Sequence, residues 1–174
     1  VFQLRRDFTR EVQTRVRLDL NSARRVYTDT IRNRQEFLSG VALDTPLAQA
    51  LRDGRAQIAV ETFRTLPLNA EFDTLSLVDA KGTVLHRIHN PDAFGDSLQD
   101  HPLVRRALAS GQPASGTIVR DAAALARESP RLARAAAIAP FEANDPARAT
   151  PLLSDGMLIA TAIPIRHGNT TVGA

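Results

Sequence analysis

Residues 75–117, LSLVDAKGTVLHRIHNPDAFGDSLQDHPLVRRALASGQPASGT, decide the fold that we predict for this chain. Alternating apolar residues from Leu75 onward, and again from Val84 to Ile88, predict two strands. Between them, Asp79 can accept hydrogen bonds from the turn and Gly82 can adopt the positive φ that a tight turn needs. The stretch therefore predicts a β-hairpin, which Asn90-Pro91 ends because proline has no amide hydrogen for a ladder.

A short helix and a third strand follow the hairpin. Asp100 or His101 is placed to cap the helix, Pro102 lies in its first turn, and Gly111 ends it. The third strand is predicted from Ala114 to Arg120. A small helix held against a hairpin in this way predicts the wall of a pocket.

The order of these motifs carries a family resemblance. The pattern V-D-x-x-G-x-V-L-x-R-x-H-N-P-x-x-x-G-D-S-L-x-x-x-P-L-V-x-x-A-L-x-S-G-x-x-x-S-G resembles the single-Cache sensors, which are PAS-like extracytoplasmic domains of bacterial chemoreceptors and sensor histidine kinases. Leu132 to Ala136, Ile163 to Ile165 and Val172 to Ala174 resemble the closing strands of the same family. The resemblance covers roughly the last hundred residues.

Length and composition fit one globular domain. The chain has 174 residues, of which 43% are hydrophobic, and no apolar run approaches the roughly 20 residues that span a bilayer. With no cysteine it can form neither a thiolate zinc site nor a Cys-x-x-Cys-His haem attachment. Basic residues are spread along the chain with acidic ones between them, so the net charge of +3 does not predict nucleic-acid binding.

The N-terminal region reads as one long helix from Val1 to Ser39, with Gly40 as its predicted stop. Such a helix is about 57 Å long, which exceeds what one small domain can cover. Our hypothesis is that its upper part packs on its own sheet and its lower part pairs with the same helix of a second subunit, giving a homodimer. The alternative is a helix packed wholly within a monomer.

The remaining elements complete an α+β domain with a PAS-like antiparallel sheet of five or six strands. Residues 1–70 would hold the long helix and short returning helices, and residues 71–174 the ligand-binding sheet, together forming one sensor domain. The predicted elements are a helix capped by Thr45, a helix from Arg55 to Leu66, a helical turn or loop from Asp121 to Ser129, a strand from Leu132 to Ala139, a long loop from Pro140 to Asp155, a strand from Met157 to Arg166 and a strand from Thr170.

Three residues are the main candidates for binding a ligand: Arg87, His89 and Arg134. Arg87 and His89 are two apart on a predicted strand, so their side chains would leave the same face, and Arg134 follows the same rule on a later strand. A carboxylate would satisfy all three, since arginine offers a planar fork to two oxygens and histidine can donate one hydrogen bond. Alternatively, Arg87 pairs with Asp73, Asp92 or Asp96, and His89 is an ordinary loop histidine.

The resemblance implies the same chemistry. Related sensors of citrate and C4-dicarboxylates use an arginine and a histidine on the matching strand and a further arginine on a later one. Here the histidine of Arg87-Ile-His89-Asn-Pro91 does not directly precede the proline, which departs from that pattern. Thr117, Arg120 and Thr161 are secondary candidates for contacts with the ligand.

We expect no metal site and no cofactor. On a regular strand His86 points away from His89, so the two do not form a ligand pair. The sequence has no Gly-x-Ser-x-Gly, His-Glu-x-x-His, Gly-x-x-x-x-Gly-Lys or Gly-x-Gly-x-x-Gly motif, so no enzymatic activity is expected.

The resemblance implies the periplasmic, extracytoplasmic part of an inner-membrane receptor, either a methyl-accepting chemotaxis receptor or a sensor histidine kinase. We expect flanking transmembrane helices outside this sequence and a small organic anion, such as a mono- or dicarboxylate, as ligand. One alternative is a module that binds a periplasmic partner protein without a small ligand. Another is a soluble enzyme of PAS-like build.

Overall fold

The structure is a computed structural model that describes residues 2–67, 72–137 and 154–174, with side chains from residue 13 onward. Within these ranges helices and strands are mixed along the chain. The helices are α1 (Phe2–Ala42), α2 (Thr45–Arg52), α3 (Ala56–Thr65), α4 (Pro102–Ser110), α5 (Ala122–Glu128) and α6 (Pro130–Ala136). The strands are β1 (Ser76–Val78), β2 (Val84–Arg87), β3 (Ala114–Arg120), β4 (Gly156–Ala162), β5 (Ile165–His167) and β6 (Thr170–Gly173).

The described strands form three antiparallel ladders, β1 with β2, β3 with β4, and β5 with β6. Val78 and Ala174 exchange two backbone hydrogen bonds of 2.9 and 3.1 Å, which link the first ladder to β6. The chain passes from β4 to β5 across Ile163-Pro164, where proline cannot donate to a ladder. The predicted α+β fold with antiparallel pairing is confirmed. The sheet is divided into three ladders, however: β3 pairs with β4, the chain continues from β4 into β5, which pairs with β6, and β6 is linked to β1, which pairs with β2.

The predicted hairpin is confirmed in detail. Asp79 Oδ1 accepts hydrogen bonds of 2.8 Å from the backbone N–H groups of both Lys81 and Thr83. Gly82 has φ of 77°, as the turn requires. The following loop folds back along β2, where the N–H of Val84 donates to the carbonyl of Asp96 at 2.8 Å. This pairing holds the Asp96 backbone beside the strand that carries Arg87.

Helix α4 begins and ends as its sequence predicts. His101 Nδ1 accepts a hydrogen bond of 3.4 Å from the N–H of Val104, and Pro102 lies in the first turn. Gly111 ends the helix in the left-handed conformation with φ of 62°. The buried face of the helix then packs on β3 and β4.

Helix α1 runs through Gly40 to Ala42, so the predicted stop at Gly40 is wrong. One glycine inside a helix costs only about 1 kcal/mol relative to alanine, which packing of the surrounding turns can offset. From Tyr27 onward α1 contacts β3: the Tyr27 hydroxyl lies 3.1 Å from Thr117 Oγ1, and Gln35 donates to Ser115 Oγ at 2.9 Å. From residue 13 to residue 28 its side chains are exposed.

The predicted fourth strand from Leu132 to Ala139 is wrong. Its residues up to Ala136 belong to α6, and residues 138 and 139 lie outside the described ranges. Ser129 Oγ accepts a hydrogen bond of 3.2 Å from the N–H of Leu132, and Pro130 occupies the first turn. These are the signals of a helix start, and alanine, leucine and arginine favour the helix that follows.

Other boundaries differ more modestly. The cap of α2 is Asp44, whose Oδ1 accepts from the N–H of Leu47 at 2.8 Å, in place of the predicted Thr45. The segment after β3, left open as a turn or a loop, is helix α5 with Asp121 as its cap. The predicted strand from Met157 to Arg166 is divided into β4 and β5. All but the last two residues of the predicted loop from Pro140 to Asp155 lie outside the described ranges.

The described core has two parts. One joins α2 and α3 to the strands around β1 and includes Leu47, Phe63 and Leu77. The other joins α4 to β3 and β4 and includes Val104 and Ala107. The site described below lies where these two parts meet.

Candidate functional site

A cavity of about 150 Å³ opens between the two parts of the core. Its walls come from the C-terminal end of α1, from β1, from α4, and from β3 with β4. β1 and β4 both line the cavity but are not paired with each other, so the β1–β2 ladder and the β3–β4 ladder form two separate halves of the sheet. Most of the lining is apolar. The polar lining residues are Thr74, Ser76, His101, Arg120, Glu128 and Thr161.

Arg120 brings a guanidinium to this apolar lining. It ends β3 and is partly buried, on the strand face that Ile118 also uses, whereas Thr117 and Val119 are exposed on the other face. Among the described residues, Arg120 has no hydrogen-bond or ion-pair partner. Arginine beside apolar surface is stabilised when an anion approaches it, so Arg120 can receive a carboxylate.

Glu128 adds a carboxylate to the polar part of the cavity lining. Its side chain is 14% exposed, Oε2 accepts a hydrogen bond of 2.6 Å from Ser76 Oγ, and Oε1 accepts one of 3.0 Å from Arg87 Nε. Because Glu128 ends α5 and Ser76 begins β1, this carboxylate ties the β3 side of the domain to the β1–β2 hairpin. Glu128 therefore connects the cavity lining to Arg87 beneath it.

Arg87 is held entirely by groups of its own chain. Its side chain is 1% exposed. Nη1 donates to the carbonyl of Ala93 at 2.6 Å and to Asp96 Oδ1 at 2.7 Å, and Nη2 donates to Asp96 Oδ2 at 2.9 Å and lies 3.0 Å from Glu128 Oε1. With the hydrogen bond from Nε to Glu128, four of the five N–H groups of the guanidinium donate hydrogen bonds, and Nη2 is also ion-paired with Glu128. The hydrogen bonds from Arg87 also lower the pKa of Asp96.

The pairing of Arg87 with Asp96 is one of the alternatives that the sequence left open. Arg87 is absent from the cavity lining, and a ligand could reach its N–H groups only by displacing Asp96 or Glu128. Removing either partner would leave a buried charge without compensation. A direct contact between Arg87 and a ligand stays a prediction, and the contacts observed give Arg87 a structural role below the cavity.

The other two main candidates lie elsewhere. His89 follows the end of β2, where its Nε2 lies 2.7 Å from the carbonyl oxygen of Phe72 and its side chain is exposed. Arg134 is exposed on α6 because the predicted strand there is a helix. The structure therefore does not bring Arg87, His89 and Arg134 together around one space, and their direct binding of a ligand stays untested.

Two of the three secondary candidates do line the cavity. Arg120 contributes its guanidinium, and Thr161 contributes a hydroxyl that lies 2.9 Å from Ser115 Oγ. Thr117 is on the face of β3 that meets α1, where it contacts Tyr27. Reasoning from the sequence missed Ser76, His101 and Glu128 as lining residues, since only the packing of α5 against β1 brings them together.

His101 adds a neutral polar group. Burial lowers the pKa of His101, and the positive charge of Arg120 lowers it further. Its Nδ1 accepts a hydrogen bond from the helix that it caps, so Nε2 carries the hydrogen in the neutral ring. His101 can therefore donate a hydrogen bond without adding a charge.

Neither a metal site nor a membrane span is found in the part of the chain that the structure describes. No group of three or more His, Cys, Asp or Glu residues there is arranged to hold a metal ion. No helix there combines the length and the apolar character that crossing a bilayer requires.

Comparison with known proteins gives one match. The sequence model of the family dCache_3, described as the double sensory domain of two-component sensor kinases, matches residues 10–174. A search of curated proteins and a search of solved structures each returned no match.

Proposed function

Since the chain belongs to the dCache_3 family of double sensory domains of two-component sensor kinases, we propose that it is a receptor domain that binds a small organic anion in the cavity at Arg120. The membership confirms the Cache resemblance seen in the sequence, although the matching family is of the double kind and the resemblance named the single kind. A sensory role fits a domain that binds its ligand without catalysing a reaction.

One observation carries the choice of an anion. Arg120 is partly buried at an apolar cavity and has no acceptor among the described residues, whereas Arg87 donates four hydrogen bonds and is ion-paired with Asp96 and Glu128. A guanidinium in an apolar setting is costly until an anion pairs with it. A mono- or dicarboxylate would supply two oxygens to the planar fork of Arg120.

Location and output follow from the family as proposals. Sensor kinases of this kind detect signals outside the cytoplasm, so we place the domain on the extracytoplasmic side of a membrane, in the periplasm of a bacterium. The family description favours a sensor histidine kinase over a methyl-accepting chemotaxis receptor as the full protein.

The position of the cavity suggests how a bound anion would signal. Val78 of β1 is hydrogen-bonded to Ala174 after β6, and Glu128 ties the segment after β3 to Ser76 of β1. The cavity is lined by residues of the β1–β2 half and of the β3–β4 half of the sheet. A ligand that contacts both halves would favour their closed arrangement, and the resulting shift in population would move β6. β6 would respond because it pairs with β5 and is linked to β1 through Val78 and Ala174.

A homodimer through α1 is the second part of the proposal. Residues 13–28 of α1 have exposed side chains, including Val16 at 51% and Leu20 at 64% exposure. Together with Ala23 and Tyr27 they follow the spacing of one helix face. Covering this stripe with the same helix of a second copy would remove apolar surface from water.

The proposal is tested by thermal melting of the 174-residue chain with mono- and dicarboxylates, amino acids, sugars and phosphate. A ligand present at a hundred times its Kd stabilises the fold by about 2.7 kcal/mol, which raises the Tm by a few degrees. We expect a shift with carboxylates that is lost in Arg120→Gln and kept in Arg134→Gln. Arg134 is a matched control because it is exposed on α6 and does not line the cavity. Equal shifts in both variants would contradict the role of Arg120.

A domain that binds a partner protein is the alternative that one observation favours. Val119, Met157 and Ile159 are exposed at 68%, 77% and 49%, on the face of β3 and β4 that also carries Thr117. Such a patch can receive a protein surface. If no small compound raises the Tm, this alternative becomes the better account.

A further inference from the structure

Resting on the proposed function, we infer that the ligand is a monocarboxylate with a compact apolar body of about the size of a benzene ring. The inference follows from the charges, the volume and the lining of the cavity at Arg120. It excludes di- and tricarboxylates and amino acids as the preferred ligands.

The balance of charge limits the ligand to one anionic group. Among the described lining residues, Arg120 is the one cationic side chain and Glu128 the one anionic side chain. Arg87 does not line the cavity, and it already donates four hydrogen bonds to groups of its own chain and is ion-paired with Asp96 and Glu128. A second carboxylate on the ligand would therefore meet Glu128 instead of a cation, and like charges in a poorly hydrated space repel strongly.

Glu128 also gives little to a ligand ammonium group. Its two oxygens already accept hydrogen bonds from Arg87 and Ser76, and the charge of Arg87 compensates its own. An amino acid would have to bury its ammonium beside this paired carboxylate and otherwise apolar walls. The cost of removing that charge from water would be poorly repaid.

The size and lining of the cavity favour an apolar body. Its volume of about 150 Å³ is close to that of an engineered apolar protein cavity that admits benzene. Residues from several helices and strands supply the apolar wall, including Val41 of α1, Leu77 of β1, Val104 of α4 and Ala160 of β4. A hydrocarbon ring would fill this space, while its carboxylate would meet Arg120 and the neutral His101.

The test is isothermal titration of the 174-residue chain with five probes: benzoate, cyclohexanecarboxylate, succinate, phenylalanine and benzamide. We expect benzoate and cyclohexanecarboxylate to bind at least tenfold more tightly than succinate or phenylalanine. Benzamide has the same shape without the charge, so we expect it to bind at least tenfold more weakly than benzoate. The preference of benzoate over benzamide should disappear in Arg120→Gln.

Substitutions that reduce the space in the cavity provide an independent test through their effect on benzoate affinity. Ala160→Val and Ala160→Leu add volume to the lining, so the affinity for benzoate should fall in the order of side-chain size. Ile159→Leu changes the neighbouring residue on the exposed side of the same strand and should leave benzoate binding unchanged. Measuring the Tm of each variant separates loss of the ligand from loss of the fold, and the smaller Val substitution keeps the test informative if the Leu variant does not fold.

The outcomes separate the two proposals. Succinate binding as tightly as benzoate, with loss in Arg120→Gln, would overturn the inference on the apolar body and leave the proposed anion sensor standing. Tight binding of benzamide would overturn the requirement for charge. Absence of binding by every carboxylate would overturn both proposals.

Discussion

At the scale of single residues, removing the guanidinium of Arg87 would leave two carboxylates without their counter-charge. Asp96 and Glu128 are 29% and 14% exposed, so water would compensate them only in part. We predict that Arg87→Ala lowers the free energy of unfolding by about 3 kcal/mol, at the low end of the range for breaking a buried ion pair. Urea unfolding measures this loss, and Arg134→Ala should change the same quantity by less than about 0.5 kcal/mol. A loss below 1 kcal/mol for Arg87→Ala would contradict the structural role.

The same contact predicts how stability depends on pH. Hydrogen bonds from Arg87 lower the pKa of Asp96 in the folded state, so the unfolded state binds the proton more tightly. The resulting stability is fully present above the ordinary pKa of about 3.9 and is lost as the pH falls through the lower folded value. We expect the Tm to fall below about pH 4, and to fall less steeply in Asp96→Asn.

The histidines contribute in a different range and do not obscure this test. Burial lowers the pKa of both His86 and His101. Because the folded state then disfavours their protonation, stability is lost as the pH falls below about 6.5. A Tm that falls equally in Asp96→Asn and the unsubstituted chain below pH 4 would contradict the role of Asp96.

Residue by residue, the sequence predicted the site in part. Asp96 was among the partners considered for Arg87, and Arg120 and Thr161 were among the secondary contacts. The pattern could not identify Glu128 as the second partner of Arg87, because the two are 41 residues apart and meet only when α5 packs beside the hairpin. The same packing pairs Arg87 with Glu128 and leaves Arg120 as the arginine that lines the cavity.

At the scale of elements, two glycines make opposite predictions. A Cβ at Gly173 would lie 2.5 Å from the carbonyl oxygen of Val78, so β6 would have to move away from β1. A Cβ at Gly40 meets nothing within 4 Å, and this residue is inside α1. We predict that Gly173→Ala lowers the free energy of unfolding by about 1–3 kcal/mol. Gly40→Ala should raise it by about 0.5–1 kcal/mol.

Denaturant unfolding of the two variants checks both signs. Each substitution adds one methyl group, so the difference between the two changes in the free energy of unfolding reports the space available at each position. Equal effects would show that β6 and β1 can separate without cost, and would also weaken the proposed path of the signal through β6.

Elements whose signals are local could be predicted from sequence. The hairpin at Asp79 and Gly82 and the ends of α4 depend on side chains within a few residues of the backbone groups that they satisfy. The error at α6 had another cause. Ser129-Pro130 carries the local signal of a helix start, whereas the resemblance of Leu132 to Ala136 to a family strand predicts a strand.

At the scale of the whole molecule, the gap between β1 and β4 could not be predicted. The strand positions of β1, β3 and β4 follow from periodicity, yet the pattern does not say which edges stay unpaired. Pro164 interrupts the long predicted strand after Ile163, so that β4 pairs with β3 while β5 pairs with β6. The cavity arises from this division and from the end of α1 that covers it.

The exposed side chains of residues 13–28 in α1 lead to a prediction about assembly. The chain has no cysteine, so a single introduced cysteine reports one contact between copies. If two copies pair through the stripe containing Val16 and Leu20, each of these positions lies near its equivalent in the partner. A disulfide needs Cα atoms within about 7 Å, which equivalent residues near a twofold axis can reach. We predict that Val16→Cys and Leu20→Cys form a covalent dimer under mild oxidation.

Phe94→Cys is the matched control because Phe94 is 67% exposed and is not part of α1, so it should cross-link only by random collision. Sedimentation of Leu20→Glu adds a measurement without cysteine. A charge at the centre of the stripe should weaken the dimer, since burying a carboxylate without a partner is costly. Cross-linking of the α1 variants at the rate of Phe94→Cys, with one sedimenting monomer across a wide range of concentration, would show that α1 does not join two copies. The stripe would then need a different covering surface, and the partner-protein alternative would gain support from the apolar patch on β3 and β4.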